Sequence, residues 1–261
     1  MAFIQVDGLS VHYRIDGPDE APPLLLVHSL GTSLEMWAPQ ARALAGTFRV
    51  ISYDLRGHGL SEATAGDYSL ALLAGDAVGL LDALGIDRAH VAGVSLGGMI
   101  AQTLGIEHCR RLRSLVLGDT ASLIGPKSNW DSRAAAIRAD GMASIVDAVL
   151  ARWFTPAFIG ASPEIARGFG AMLLRMPAEA YISASFAVRD GDTTPGLGRI
   201  ACPTLVLVGD QDVSTPPAAA EALAAAIPGA QLTVIERAAH IPTVERPAEV
   251  TAAMRQFLTS L

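Results

Sequence analysis

Gly93-Val94-Ser95-Leu96-Gly97-Gly98 sets a serine between two glycines, directly after the apolar run His90-Val91-Ala92. The helix formers Met99-Ile100-Ala101-Gln102-Thr103-Leu104 follow. Strand, abrupt turn and helix are the context that a G-x-S-x-G nucleophile elbow requires. Such a turn strains the serine backbone, so the residues two positions away on each side must lack bulk. Gly93 and Gly97 meet that need, and Gly98 lets the helix lie close to the strand. A serine at a helix N-terminus is also surrounded by backbone N–H groups, which favour the negative charge that develops when it attacks a carbonyl.

A serine hydroxyl is a weak nucleophile until a base takes its proton, and the base needs an acid to orient it. With an elbow of this kind the order along the chain is serine, acid, histidine. His240, in Ala238-Ala239-His240-Ile241-Pro242, follows the strand-like Leu232-Thr233-Val234-Ile235, and from a loop there it can reach the elbow. His108, the other histidine beyond Ser95, falls on or just past the helix behind the elbow. His12 and His90 lie in strand patterns as structural imidazoles, and His58, in Arg56-Gly57-His58-Gly59, reads as a loop stabiliser. The acid is expected in Gly209-Asp210-Gln211-Asp212-Val213-Ser214-Thr215-Pro216-Pro217, after the apolar run 204–208. Asp212 is the choice. Asp210, nearer the strand end, suits turn capping, and Asp119, after the run 115–117, is the other alternative. Two backbone donors should hold the oxyanion: Leu96 N–H beside the nucleophile, and Leu30 N–H from His28-Ser29-Leu30-Gly31, where Gly31 permits a sharp turn.

The elements that must position these groups alternate along the chain. An Asp7-Gly8 turn joins Phe3-Ile4-Gln5-Val6 to Ser10-Val11-His12-Tyr13-Arg14 as a hairpin. Apolar strand runs follow at 24–28, 48–53, 89–94, 115–117, 204–208 and 232–235, with helical patterns at 36–45, 70–84, 96–106, 218–226 and 248–258. This predicts an α/β fold: a mostly parallel sheet flanked by helices, with the ligand beyond the carboxyl ends of the strands. The rhythm breaks between 121 and 199, where helical stretches at 133–150, 163–174 and 178–188 include no buried strand. That segment is expected to be a helical cap inserted into a core made of 1–120 and 200–261.

Bulk properties narrow the partners. The 261 residues suffice for one large domain, and the formal charge of −7 opposes nucleic acid as the main partner. No apolar run approaches the roughly 18–20 residues of a membrane span, and the first residues lack the features of a secretory leader. Cys109 and Cys202 belong to no metal-binding pattern and read as reduced thiols of a cytoplasmic protein. A small-molecule substrate and no metal are the expectation.

The chain resembles the α/β-hydrolase superfamily over essentially its whole length. Within it, the chain is most similar to the 3-oxoadipate enol-lactonases of the β-ketoadipate pathway. The segments that carry the resemblance are His12-Tyr13-Arg14-Ile15-Asp16-Gly17, Ser29-Leu30-Gly31-Thr32 with Met36-Trp37-Ala38-Pro39-Gln40, and Tyr53-Asp54-Leu55-Arg56-Gly57-His58-Gly59-Leu60-Ser61. Ala148-Val149-Leu150-Ala151-Arg152-Trp153-Phe154-Thr155 adds a match in the helical segment. His28 stands where that family often has asparagine, and Glu179-Ala180-Tyr181 with Ser185 replaces its Glu-Gly-Tyr…Cys pattern. The resemblance implies a cofactor-free serine hydrolase that opens a small carboxylated enol-lactone, with the substrate carboxylate held around Trp130 and Arg133. Trp37, Met172 and Met176 are further candidates for the pocket lining. The alternatives are a broader carboxylesterase or lactonase, a haloperoxidase-like perhydrolase, and a receptor that binds a lactone without turning it over. A dehalogenase would need aspartate in place of Ser95.

Overall fold

The structure, a computed structural model, describes residues 2–261. Its first hairpin follows from two residues. Asp7 and Gly8 both adopt positive φ (48° and 84°), the conformation of a tight turn matched to strand twist, and pair Val6 with Leu9. β1 (Ala2–Val6) and β2 (Leu9–Asp16) are therefore antiparallel at one edge of an eight-stranded sheet. β3 (Pro23–Val27), β4 (Arg49–Tyr53), β5 (Ala89–Val94), β6 (Leu112–Gly118), β7 (Thr204–Gly209) and β8 (Gln231–Ile235) complete it, in the order β1-β2-β4-β3-β5-β6-β7-β8. β2 pairs antiparallel with β4, and all pairs beyond β4 are parallel. β3, β5 and β7 are apolar almost throughout because both of their faces are covered.

Helices α1 (Ala38–Leu44), α2 (Leu70–Ala83) and α3 (Leu96–Glu107) lie between successive strands, and the Ser69 hydroxyl caps α2 by accepting the Leu72 N–H. α2 packs on α3. Between β6 and β7 the chain leaves the sheet for α4 (Lys127–Asp140), α5 (Val146–Trp153), α6 (Pro156–Ala161), α7 (Pro163–Arg175) and α8 (Ala178–Asp190). β6 and β7 are nevertheless adjacent, so this excursion leaves from and returns to neighbouring strands. α9 (Pro217–Ala226), α10 (Pro242–Glu245) and α11 (Pro247–Thr259) complete the chain, with α11 packed on α1.

The helical segment adds α6 to the expected stretches and departs from the first of them, which begins earlier, at Lys127, and is broken. The stretch 133–150 is two helices rather than one, because Gly141 takes φ 76° and ends α4. Trp37, a candidate pocket residue, is instead a core side chain, 1% exposed.

The strand order places the site. β3 lies between β4 and β5, so the chain leaves β3 toward one side of the sheet and reaches β5 on the other. At this reversal the loops after β3 and β5 diverge, and a crevice opens at the strand ends. The Leu30 loop and Ser95 flank it, and Val27 pairs with Gly93 just beneath.

Candidate active site

Ser95 occupies the turn between β5 and α3 with φ 56° and ψ −116°, a conformation rare for a residue with a side chain. Its neighbours explain how the turn closes. A Cβ on Gly93 would collide with the Gly97 carbonyl, and one on Gly97 with the carbonyl of Val27. A Cβ on Gly98 would strike Thr120, whose hydroxyl donates to the Ser95 carbonyl at 2.8 Å. The elbow is thus held on one side by the end of β3 and on the other by the residues after β6.

Three side chains brought from distant parts of the chain meet here. His240 Nε2 lies 2.9 Å from Ser95 Oγ, and His240 Nδ1 lies 2.8 Å from Asp212 Oδ2. Because a carboxylate oxygen can only accept, Nδ1 carries the proton, and the Nε2 lone pair faces the serine hydroxyl. Asp212 also accepts from Ser214 N–H (2.7 Å), Thr215 N–H (3.1 Å) and the Thr215 hydroxyl (2.7 Å). Burial alone would raise the Asp212 carboxyl, but the charge and hydrogen bond of His240, with Thr215, hold it below its ordinary value. Sequence reasoning missed Thr215: the Asx-turn signal here is Asp212 itself, whose carboxylate accepts the N–H two residues on, and it does not single out the hydroxyl at 215.

The two alternative acids occupy other places. Asp210 is exposed and accepts the Ala238 N–H at 3.1 Å, a turn contact. Asp119 is buried beside Asp212 and accepts the Gly209 N–H at 2.8 Å.

The His240 loop is anchored on both sides. Glu245, on α10, accepts the Ala239 N–H at 2.9 Å and, through its other oxygen, the Thr155 N–H at 3.2 Å and the Thr155 hydroxyl. This buried carboxylate ties the loop to the residues after α5. Nothing in its local sequence distinguishes Glu245 from a solvated helix glutamate.

In the loop after β3, Ser29 N–H contacts Met36 Sδ (3.2 Å), Gly31 N–H donates to His58 Nε2 (3.1 Å), and Thr32 N–H donates to the Ser29 carbonyl (3.2 Å). Leu30 N–H is therefore the one backbone donor of residues 29–32 without an acceptor among the described residues. Leu96 N–H opens α3, where no earlier helical carbonyl exists to receive it. His58 acts as a fixed acceptor because burial, and then the neighbouring His28, depress it to about 3 and keep it neutral. His28 is itself a loop clasp, with Nδ1 2.8 Å from the Ser29 carbonyl and Nε2 accepting the Leu55 N–H at 2.9 Å.

A cavity of about 310 Å³ opens over Ser95 and His240. Its far wall comes from the helical segment: Trp130, Arg133, Arg152, Trp153 and Tyr181. Arg133 stacks on Trp130, 4.8 Å from the ring centre, and donates to the Tyr181 hydroxyl at 3.1 Å. Trp130 spends its own N–H on the Ile124 carbonyl (2.8 Å), so its part here is to shelve the guanidinium. Neither Arg133 nor Arg152 is paired with a carboxylate among the described residues. Arg152 belongs to a segment that carries the family resemblance, yet its helical position gives no sign of which way it faces, and only the fold makes it a pocket residue. Met172 and Met176 line a different cavity, against His12, Tyr13 and Arg14 of β2.

The profile of the alpha/beta hydrolase family matches residues 24–253. The 3-oxoadipate enol-lactonase 2 of Acinetobacter baylyi is 37% identical over 97% of this chain and 96% of its own. Among solved structures, the enol-lactonase of Burkholderia xenovorans superposes with a TM-score of 0.97 at 40% identity, covering 99% of this chain and 100% of that one. A thermophilic esterase of Thermogutta terrifontis, solved with malate bound, gives 0.92 at 32% identity, covering 99% and 96%.

Proposed function

The chain belongs to the α/β hydrolase family, and on that premise we propose that it opens a small carboxylated enol-lactone, converting 3-oxoadipate enol-lactone to 3-oxoadipate. The observation that carries this reading is the pairing, in one cavity, of the Ser95–His240–Asp212 chain with two guanidinium groups, Arg133 and Arg152, that have no carboxylate of their own. A neutral ester gives such a wall nothing to bind, whereas a carboxylate arm forms charge-assisted hydrogen bonds with it. The likeness to two enol-lactonases and to an esterase solved with a dicarboxylate supports the same substrate class.

Ser95 Oγ attacks the lactone carbonyl carbon as its proton passes to His240 Nε2. Asp212 holds the imidazole in the required tautomer and stabilises the imidazolium. Leu30 and Leu96 N–H groups receive the oxyanion of the tetrahedral intermediate. Collapse breaks the ring C–O bond, and the leaving oxygen departs as an enol that takes its proton from His240. An enolate is a better leaving group than an ordinary alkoxide, so this step places a modest demand on the acid. The second half repeats the sequence with water: His240 removes its proton, the hydroxide attacks the acyl carbon, and Ser95 leaves with the proton back in place. The enol tautomerises to the 3-oxo acid.

The test is a comparison of kcat/KM for 3-oxoadipate enol-lactone with that for a neutral ester of similar size. A strong preference for the lactone supports the proposal. Equal rates would make the protein a general esterase, and acylation of Ser95 without turnover would make it a binding protein.

A further inference from the structure

Two neighbouring strands end in two neighbouring carboxyl groups. Asp119 follows β6, Asp212 lies in the loop after β7, and the strands pair in parallel with Gly118 opposite Leu207. Asp119 adopts φ 41°, a left-handed conformation, while its N–H donates to the Leu207 carbonyl at 2.9 Å. Its side chain is fully buried, and through Gly209 N–H, which donates to its Oδ1 at 2.8 Å, it lies against the start of the loop that carries Asp212.

The supply of donors between them is uneven. Asp212 receives Ser214 N–H, Thr215 N–H, the Thr215 hydroxyl and His240 Nδ1–H. Asp119 receives Gly209 N–H on Oδ1, and its Oδ2 has no partner among the described residues. Two carboxylates cannot hydrogen-bond each other, since both only accept. Were Asp119 ionised, a second negative charge would stand in the interior beside Asp212, with one oxygen bare. One proton removes both difficulties, and it belongs on the group with fewer donors.

We propose that Asp119 is a carboxylic acid rather than a carboxylate, that its O–H donates to Asp212, and that it serves as a positioning residue for the Asp212–His240 pair. This use of Asp119 rests on the reading of Ser95, His240 and Asp212 as the reacting set. The charged groups acting on Asp119 are Asp212 and Glu245 on α10. Burial, followed by repulsion from Asp212, pushes the Asp119 carboxyl well above its ordinary 3.8, with Gly209 N–H opposing. A neutral donor at this position orients the Asp212 carboxylate without adding charge beside the imidazole.

The experiment compares wild type with Asp119→Asn and Asp119→Leu. The amide keeps a neutral donor where the acid had one, so Asp119→Asn should retain most of kcat. Asp119→Leu removes the donor and should lower kcat roughly ten- to a hundredfold with little change in KM. Infrared difference spectra, wild type minus Asp119→Asn at neutral pH, should show the carbonyl stretch of a protonated carboxylic acid, shifted in D₂O. That band does not depend on any substrate, so its absence overturns the proposal even if the hydrolase reading stands. A folded Asp119→Asn that loses as much activity as Asp119→Leu overturns it too, because an ionised Asp119 would then be required. If Asp119→Leu does not fold, the spectrum and the Asn variant decide. A protein with the band but without lactone hydrolysis would retain the proton assignment and lose the proposed function.

Discussion

Ile241 donates its N–H to the carbonyl of Trp153 at 3.1 Å, which joins the residue after His240 directly to the end of α5. The wall of the pocket and the His240 loop are therefore joined in one hydrogen-bonded unit. Glu245 reinforces the unit from below through Ala239 and Thr155.

Glu245→Ala should damage stability and turnover together. It strands the N–H groups of Ala239 and Thr155 and the Thr155 hydroxyl, and a buried donor left without an acceptor costs roughly 1–3 kcal/mol. Urea unfolding should show a lower midpoint with an unchanged slope. Kinetics should show a fall in kcat larger than any rise in KM, because Glu245 does not line the cavity over Ser95.

Ser95→Ala and His240→Ala should each lower kcat by roughly 10⁴-fold or more, with little further loss when combined, since the two act on one proton. Asp212→Asn should fold normally and still lose turnover heavily, because an amide N–H facing Nδ1 favours the wrong tautomer. Asp210→Asn should have a small effect. Steady-state rates of the five proteins, each checked for its melting temperature, test the set; near-normal activity of Ser95→Ala would remove the central claim.

Arg133→Met and Arg152→Met should separate substrates by charge. Loss of a charge-assisted contact should reduce kcat/KM for the carboxylated lactone by roughly ten- to a hundredfold, and barely change a neutral ester. Arg133 sits deeper, on Trp130 and Tyr181, whereas Arg152 is exposed, so the larger loss is expected at Arg133. Equal losses on both substrates would mean that the wall had been deformed.

The loop that presents Leu30 should weaken in acid. His58 has a folded value of about 3 against an ordinary 6.5, so the unfolded chain binds a proton that the folded one refuses. Its contribution is present above 6.5 and is lost progressively as pH falls toward 3, because stability follows the difference in bound protons. His58→Gln, which can still accept the Gly31 N–H but does not titrate, should flatten the acid side of a melting-temperature profile relative to wild type. A parallel profile for the two proteins would contradict this.

Where chemistry depends on neighbours along the chain, the amino-acid sequence alone makes it legible. The elbow is such a case: the clearance that Gly93 and Gly97 give Ser95 is a matter of residues two positions away, and the strand before it and helix after it have their own periodicity. The Asp7-Gly8 turn is another, since its backbone conformation is a property of those two residues. Asp212 and His240 can be chosen because each follows a recognisable strand, and parallel strands deliver their ends to one edge of the sheet. Between Ser95 and His240, 145 residues apart, the sequence supplies only order; the 2.9 Å contact comes from β5 and β8 belonging to the same sheet. The break of α4 at Gly141 is within reach of the sequence, since glycine in a left-handed conformation ends helices, but the flanking helical pattern runs through it.

Other properties exist only between elements. Trp37 turns into the core and Arg152 toward the cavity, and the rotation of a short helix is set by what it packs against rather than by its own residues. Met172 on α7 and Met176 just after it likewise belong to whichever cavity the packing of that helix places them in. The charge state of Asp119 is the furthest from the sequence. A carboxyl is ionised or neutral according to the donors and charges around it, and those come from Gly209, Asp212 and Glu245, brought close by the pairing of β6 with β7 and by α10. The chain order names the groups, but burial and proximity, which arise on folding, decide where the proton resides.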